Sequence, residues 1–310
     1  MAKGGKRTVR TLLPLDAPRV VGGHNRAYPI DALTGRLKPT LSLAEVARLS
    51  IPRRRKNTSS LVMIEGRQLV GMASGSMRSD PAAWELTHLL LAEEDSLRWN
   101  ALSDDLCHRA ACVGGHRMFV RLRAEEPLVV QALSSGFIRC SAQILFENTG
   151  KEIAPPGVHS VRQRSPADDY GLYRLYSTTT PAEVRAATAM TLPQWRSSRE
   201  RVRGGREYVT DQDGRVVQWL RVVRRGDLTL AEAMYENGPG SAGELVDQGL
   251  ILAKGSARVL FLVGAHQVEL QASLSGRGFE AREDFVTLAR AMVATAREGV
   301  RRRAVTVASI

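Results

Sequence analysis

The feature that most constrains this chain is that it repeats itself. Val9-Arg10, followed by Pro14 and Asp16, returns 152 residues later as Val161-Arg162, followed by Pro166 and Asp168. Glu65-Gly66-Arg67-Gln68-Leu69-Val70 returns at an offset of 148 as Asp213-Gly214-Arg215-Val216-Val217-Gln218. The stretch Arg117 to Leu122 returns at 141 as Arg258 to Val263, and Gly136-Phe137 returns at 142 as Gly278-Phe279. The order is kept while the offset drifts, as loop insertions after a duplication would make it do. A length of 310 residues suits two units of about 150. Between them, Pro155-Pro156-Gly157 can continue neither a helix nor a central strand. The reading is therefore a first domain over 8–150, a linker over 151–159 and a second domain over 160–310. So short a linker implies that the two touch.

Composition narrows the setting. Hydrophobic residues make up 43% and charged residues 25%, so each half can bury a core of its own. No apolar run approaches the roughly 20 residues of a membrane span, and no apolar segment follows the basic start. Cys107, Cys112 and Cys140 are odd in number and crowded into one half, which is not a disulfide framework. These features lead us to expect a cytoplasmic protein with no membrane partner. The chain carries 44 Lys and Arg against 32 Asp and Glu, a net charge of +12. Such an excess favours anionic partners. It is gathered at Arg53, Arg54, Arg55 and Lys56, again across 196–206 with Arg199, Arg201 and Arg203, and at Arg301 to Arg303.

Local patterns in the second half give an order of elements. Residues 160–164 are extended. Pro181 to Met190 reads as a helix with Thr180 as its cap and proline at its first position. Glu207 to Thr210 and Val216 to Val223 flank Asp213-Gly214, a hairpin signal. Leu228 to Tyr235 is the next strand. Asn237 to Gly243 is a glycine-rich turn, and Glu244 to Ala253 a helix closed near Gly255. Val259 to Val263 is a buried strand. A short helix over Gln267 to Leu274 leads to a final strand pair from Phe279, although 284–296 has helical propensity as well.

That order resembles the GNAT (Gcn5-related N-acetyltransferase) fold. Tyr235-Glu236-Asn237-Gly238-Pro239-Gly240 matches the family's cofactor turn in spacing, with tyrosine where Gln or Arg usually stands. Buried strand, short helix and Gly-Phe occur in both halves. The resemblance implies an α+β chain of two tandem GNAT-like domains, each a mixed, mostly antiparallel sheet flanked by helices. It implies acetyl-CoA as co-substrate, no metal, and transfer of an acetyl group to an amine the sequence does not name. A fused pair of this kind would be a monomer imitating a dimer, or a homodimer.

The glycine turn has a chemistry of its own. Free N–H groups at a helix start, together with the helix dipole, bind phosphate. The expected cofactor residues are Tyr235, Gly238, Gly240, Ser241, Ala242, Gly243 and His266. The equivalent stretch of the first half has no glycine and carries Glu93, Glu94 and Asp95, which would repel a diphosphate. Transfer needs a base and an acid. The family's acid tyrosine is replaced by Ala132 and Leu274, which leaves Glu232, Tyr235 and Glu236 as catalytic candidates, the two glutamates on one strand face. His108, Cys112 and His116 have the spacing of ligands on one helix, but Gly114-Gly115 interrupts it. Two other functions fit the same residues: a non-catalytic pair used as a ligand-sensing or regulatory module, and a basic protein associated with nucleic acid or the ribosome.

Overall fold

The computed structural model describes residues 7–22, 26–28, 41–51, 57–92, 96–148, 161–200, 202, 204–236, 238 and 241–292. The linker expected over 151–159 lies outside the described residues. So do Arg53 to Lys56, Glu93 to Asp95, Arg201, Arg203, Gly240 and the Arg301 to Arg303 cluster.

The first half runs β1 (Arg7–Thr11), a 3-10 turn (Pro14–Asp16), α1 (Ala17–Gly22), β2 (Arg26–Tyr28), α2 (Leu43–Leu49), β3 (Thr58–Glu65), β4 (Gln68–Met77) and β5 (Ala83–Leu91). It continues with α3 (Ser96–Ala111), β6 (Arg117–Arg123), α4 (Leu128–Ser134) and β7 (Ile138–Asn148). The second half runs β8 (Arg162–Gln163), a 3-10 turn (Pro166–Asp168), α5 (Asp169–Thr179), α6 (Ala182–Thr188), α7 (Leu192–Ser198), β9 (Gly205–Gln212) and β10 (Arg215–Arg225). It ends with β11 (Leu228–Tyr235), α8 (Ser241–Leu252), β12 (Arg258–Gly264), α9 (Val268–Ser275) and β13 (Phe279–Ala291).

The repeated Val-Arg-x-x-x-Pro-x-Asp has a physical reason. Arg10 donates two hydrogen bonds to the Asp16 carboxylate, both 2.7 Å, and the Leu13 N–H donates a third at 2.9 Å. Arg162 grips Asp168 in the same fork, at 2.8 and 2.7 Å, and the Ser165 N–H joins at 2.6 Å. Each aspartate thus nails the turn after the first strand to that strand, by a bidentate pair that only Arg can make. The hairpins also correspond. Asp213 and Gly214 both have positive φ, 51° and 75°, as a two-residue primed turn requires.

Some expected elements changed. Thr180 caps no start; it closes α5, and Pro181 opens α6. The sequence reading omitted α5 and α7. The expected final strand pair is one 13-residue strand, β13, its ladder to β7 broken by two bulges.

All the strands join one sheet, in the order β1-β3-β4-β5-β6-β13-β7-β12-β11-β10-β9-β8, with β2 added on β5. The centre is an exchange. β13, from the second half, lies between β6 and β7 of the first, and β7 pairs with β12 of the second. Val286 and Leu288 of β13 are buried in the core that α3 covers, with Trp99, Leu102 and Leu122. Phe146 of β7 is buried in the core that α8 and α9 cover, with Leu245, Phe261 and Leu270. The opposite face is covered by α1 and α2 at one end and by α5 and α7 at the other.

Candidate functional site

Both halves contain a place where neighbouring parallel strands part. In the second half the β11–β12 ladder runs from Leu228 opposite Arg258 to Glu232 opposite Leu262 and then ends. Ala233 to Tyr235 continue without β12, so their edge groups need other partners. In the first half the β5–β6 ladder is shorter, from Ala83 opposite Arg117 to Glu85 opposite Phe119. There the gap is filled by the chain itself: β2 pairs with Leu89 to Leu91 on the edge that β6 has left, while β4 holds the other edge. Tyr28 of β2 is buried in the core beneath. A parting of strands is a natural ligand crevice, and among the described residues no strand of this chain takes that of the second half.

The second-half gap is spanned by one side chain. Gln267, in the turn after β12, accepts from the Gly264 N–H at 2.9 Å and donates from Nε2 to the Ala233 carbonyl at 3.0 Å. Its carboxamide thereby replaces one rung of the missing ladder. At the mouth of the gap is a cavity of about 420 Å³. Thr178 and Thr179 line it from α5, Tyr235 from the end of β11 and Glu236 from just beyond it, and His266, Gln267 and Glu269 from the turn and first residues of α9. A second cavity of about 480 Å³ lies at the α8 start, lined by Gly238, Ser241 and Glu244 together with Glu236, Gln218 and Asp211.

The structure sorts the expected residues. Glu236 lines both cavities. It pairs with Arg215 at 3.0 and 3.3 Å, and both side chains stay substantially exposed. Tyr235 touches the first cavity only at its edge; its ring is buried among Leu245, Phe261 and Leu270. Burial raises its pKa, Glu269 adds to the rise, and a hydrogen bond from the Leu270 N–H opposes it. Glu232 lines neither cavity. It is ion-paired to Arg221 across the β10–β11 ladder, and the same guanidinium reaches Glu200 in the segment after α7. Gly238 has open space where a side chain would stand, and Ser241 and Gly243 belong to the first turn of α8. Ala242 is buried, and the Gly243 carbonyl accepts from Arg277, which also grips Asp247. His266 stands on the rim of the first cavity. Burial of part of its ring lowers its pKa, and Glu183 offsets some of that. The ring lies so close to Gly264 that a Cβ there would meet its Cε1 at 2.6 Å.

Sequence reasoning missed a cluster beside this site. The Glu200 carboxylate is surrounded by Arg78, Arg121 and Arg221, all buried. Arg78 also reaches Glu85 at 3.4 Å and lies 4.0 Å above the Phe119 ring. Burial works against the Glu200 charge, but Arg121, Arg78 and Arg221 together outweigh it, and the carboxyl falls below its usual range. The cluster draws residues from β5, β6, β10 and β11, so it locks the two halves together. Its only sequence signal is an arginine on an otherwise apolar strand: Met118 to Leu122 holds Arg121, and Trp219 to Val223 holds Arg221. Arg199, expected to meet an anionic partner, is occupied by Glu207 and Asp169 and stacks on Trp195.

His108 and Cys112 approach to 3.7 Å on the last turn of α3, while the His116 backbone bonds Ala82 beyond it. Among the described residues, no three His, Cys, Asp or Glu side chains are grouped to hold a metal ion. None of the described helices is long and apolar enough to cross a membrane.

No family model matches the chain, and no curated protein matches it. Solved structures do. A GCN5-related N-acetyltransferase from Sphaerobacter thermophilus aligns over 92% of this chain and 95% of its own, with a TM-score of 0.56 at 13% identity. A tandem GNAT protein from the clavulanic acid biosynthesis pathway, solved without AcCoA, aligns over 92% and 98%, with a TM-score of 0.50 at 16% identity. At such identities the likeness concerns the fold alone. The mixed sheet flanked by helices, with its parted parallel strands, is the fold of the GCN5-related N-acetyltransferases.

Proposed function

We propose that the chain is a tandem pair of GNAT-type domains that binds an acyl-CoA thioester in the second-half gap and transfers the acyl group, in the simplest case acetyl, to an amine. The observation that carries this reading is the asymmetry of the two gaps. The first is filled by β2, whereas the second opens between a cavity at its mouth and another at the start of α8. The residues there fit the outline of the group. Gly238 leaves backbone open, the first turn of α8 offers N–H groups and a favourable dipole, and Ala233 to Tyr235 present a strand edge. Asp211 is paired with Arg162, and Arg215, the exposed partner of Glu236, is a cation free to turn to a diphosphate, which leaves Glu244 as the charge that group would have to avoid.

When bound, acetyl-CoA supplies the activated acyl carbon. The protein's part is to hold and to exclude. The α8 start and Gly238 would receive the diphosphate. Gln267 would give up the Ala233 carbonyl as the gap fills. The 178–179 end of α5 would cover the mouth on the other side. Repeated Arg–Asp forks and the exchanged strands support duplication as the origin of the pair, and a single chain would then contain the two-fold arrangement on its own.

A second reading, binding without transfer, is favoured by one observation: the Glu232 carboxylate is locked to Arg221 and unavailable as a base. One measurement separates the possibilities. Acetyl-CoA at 100 times its dissociation constant should stabilise the fold by about 2.7 kcal/mol, and Gly238→Glu, which meets no protein atom, should remove that gain. Absence of a shift at millimolar acetyl-CoA rejects transferase and cofactor sensor together. A shift without thiol release in the presence of amines selects the second reading.

A further inference from the structure

In a chain with a net charge of +12, the described residues that line the cavity at the mouth of the second gap include no lysine or arginine. Its charged groups are the carboxylates of Glu236 and Glu269. The positive feature within reach, the start of α9, is already answered by Glu269 in its first turn. The hydroxyls of Thr178 and Thr179 donate to carbonyls within α5, so they turn only lone pairs outward. Everything that can recognise a charge here recognises a cation. One nitrogen base stands in the lining. His266 makes no hydrogen bond among the described residues, and the missing side chain of Gly264 gives its ring a fixed seat.

We propose that this cavity is the acceptor subsite and takes an aliphatic amine bearing no anionic group, held by the Glu236 and Glu269 carboxylates, with the His266 imidazole accepting the ammonium proton. The inference rests on the transferase reading and deepens it. A cavity of about 420 Å³ admits a short diamine but not a folded partner. Glu236 is available because its Arg215 partner is an exposed cation, and such pairs exchange readily. The imidazole suits the task because it is neutral near pH 7, its pKa lying below the usual histidine value. The groups around it are Glu269 in the first turn of α9, Tyr235 at the end of β11, Glu236 just after it with Arg215 behind, and Glu183 from α6.

The chemistry balances. The ammonium gives one proton to His266, which passes it to water. The freed nitrogen bonds the thioester carbonyl carbon, and the carbon–sulfur bond breaks with its electron pair on sulfur. The second proton lost by nitrogen ends on that sulfur, giving amide and free thiol.

Putrescine and 4-aminobutyrate form a matched pair of probes, equal in chain length and opposite in the charge at the far end. Calorimetric titration of the full-length protein should show saturable putrescine binding at least about tenfold tighter than 4-aminobutyrate. Glu236→Gln with Glu269→Gln, both surface changes, should erase that preference while leaving the melting temperature within about a degree or two. Lowering the pH through the histidine range should weaken putrescine in the wild type, because a cationic imidazole repels it. In His266→Gln that pH effect should vanish, with N-acetylputrescine formation lost while putrescine binding at high pH is kept. Equal affinity for the two probes, a preference for 4-aminobutyrate, or an unchanged pH profile in His266→Gln overturns the inference. An acetyl-CoA shift without selective putrescine binding overturns it and leaves the transferase reading standing. Selective putrescine binding without an acetyl-CoA shift overturns the transferase reading and the acceptor role with it.

Discussion

The two halves begin from the same plan and finish it differently. In both, an arginine on the first strand forks onto an aspartate six residues later, a hairpin follows, and two parallel strands part. In the first half a three-residue strand of the same chain lies along the freed edge and its tyrosine joins the core. In the second, one glutamine side chain spans the gap and a cavity opens beside it. Under the proposed reading, the first half has given to a strand of its own chain the edge that a ligand would use in the second. A strand is a permanent occupant because it brings its own hydrogen bonds and a buried side chain. A carboxamide is a displaceable one, because it offers a single rung.

Four results would break or sharpen that contrast. The largest effect is expected from separating the halves. A fragment of 1–150 lacks Val286 and Leu288 and leaves the β6 edge bare; a fragment of 160–310 lacks Phe146 and the strand beside β12. Neither should give a cooperative melt or a monomeric elution profile, whereas co-expression should restore both. A fragment that folds alone would show that the exchange is dispensable.

Next comes Glu200→Ala, which leaves Arg78, Arg121 and Arg221 buried around an empty centre. The cost should be about 3–5 kcal/mol in chemical denaturation, with the unfolding still a single step because the cluster belongs to both halves.

A smaller effect separates the two forks. Asp16→Asn and Asp168→Asn should each cost about 1.5–3 kcal/mol, the second more, since Ser165 adds its hydroxyl to the Asp168 carboxylate. Both carboxyls are held below their ordinary pKa, chiefly by the arginine hydrogen bonds. Their contribution is therefore full above the unfolded value near 4 and is lost as the pH falls toward the folded one. Acid titration of the two variants against the wild type should show that loss flattened, more strongly for Asp168→Asn.

The smallest effect concerns the gaps themselves. Gln267→Ala removes the rung to Ala233 and should tighten acetyl-CoA a few-fold, by an amount corresponding to about 1 kcal/mol. Ala27→Pro, which removes a donor from β2, should leave the stoichiometry at one acetyl-CoA per chain. A second equivalent bound by that variant would mean that β2 alone had closed the first site.

Much of the plan was readable from residues because it is local. The Arg–Asp fork spans six positions, the Asp213-Gly214 turn announces its hairpin, and Leu228 to Tyr235 is a mostly apolar run of eight, as a strand covered on both faces should be. The helix α5 is marked too, by the helical spacing of Leu172, Leu175 and Tyr176 on one face. The strand β2 was not readable. Arg26-Ala27-Tyr28 has no alternation long enough to mark it, and its role depends on an edge some 60 residues away. The same holds for β13. Its composition gives a strand, but nothing in it says that the strand joins β6 instead of its own half. At the site, the glycine turn and His266 were visible as residue types. The commitment of Glu232 to Arg221, the rung made by Gln267 and the acidic lining were not, since each depends on which distant side chains meet.

The exchanged strand also sets a timetable. β6 is complete once residue 123 has left the ribosome, yet the neighbour that covers it is β13, which begins at Phe279. Until nearly the whole chain has emerged, the N-terminal sheet waits with an exposed edge and an unfinished core, and domain-by-domain folding during synthesis is denied to it. Long-range pairing of this kind folds slowly. A duplication joined in this way ties the inheritance of each half to the other, since each supplies a strand that the other's sheet uses.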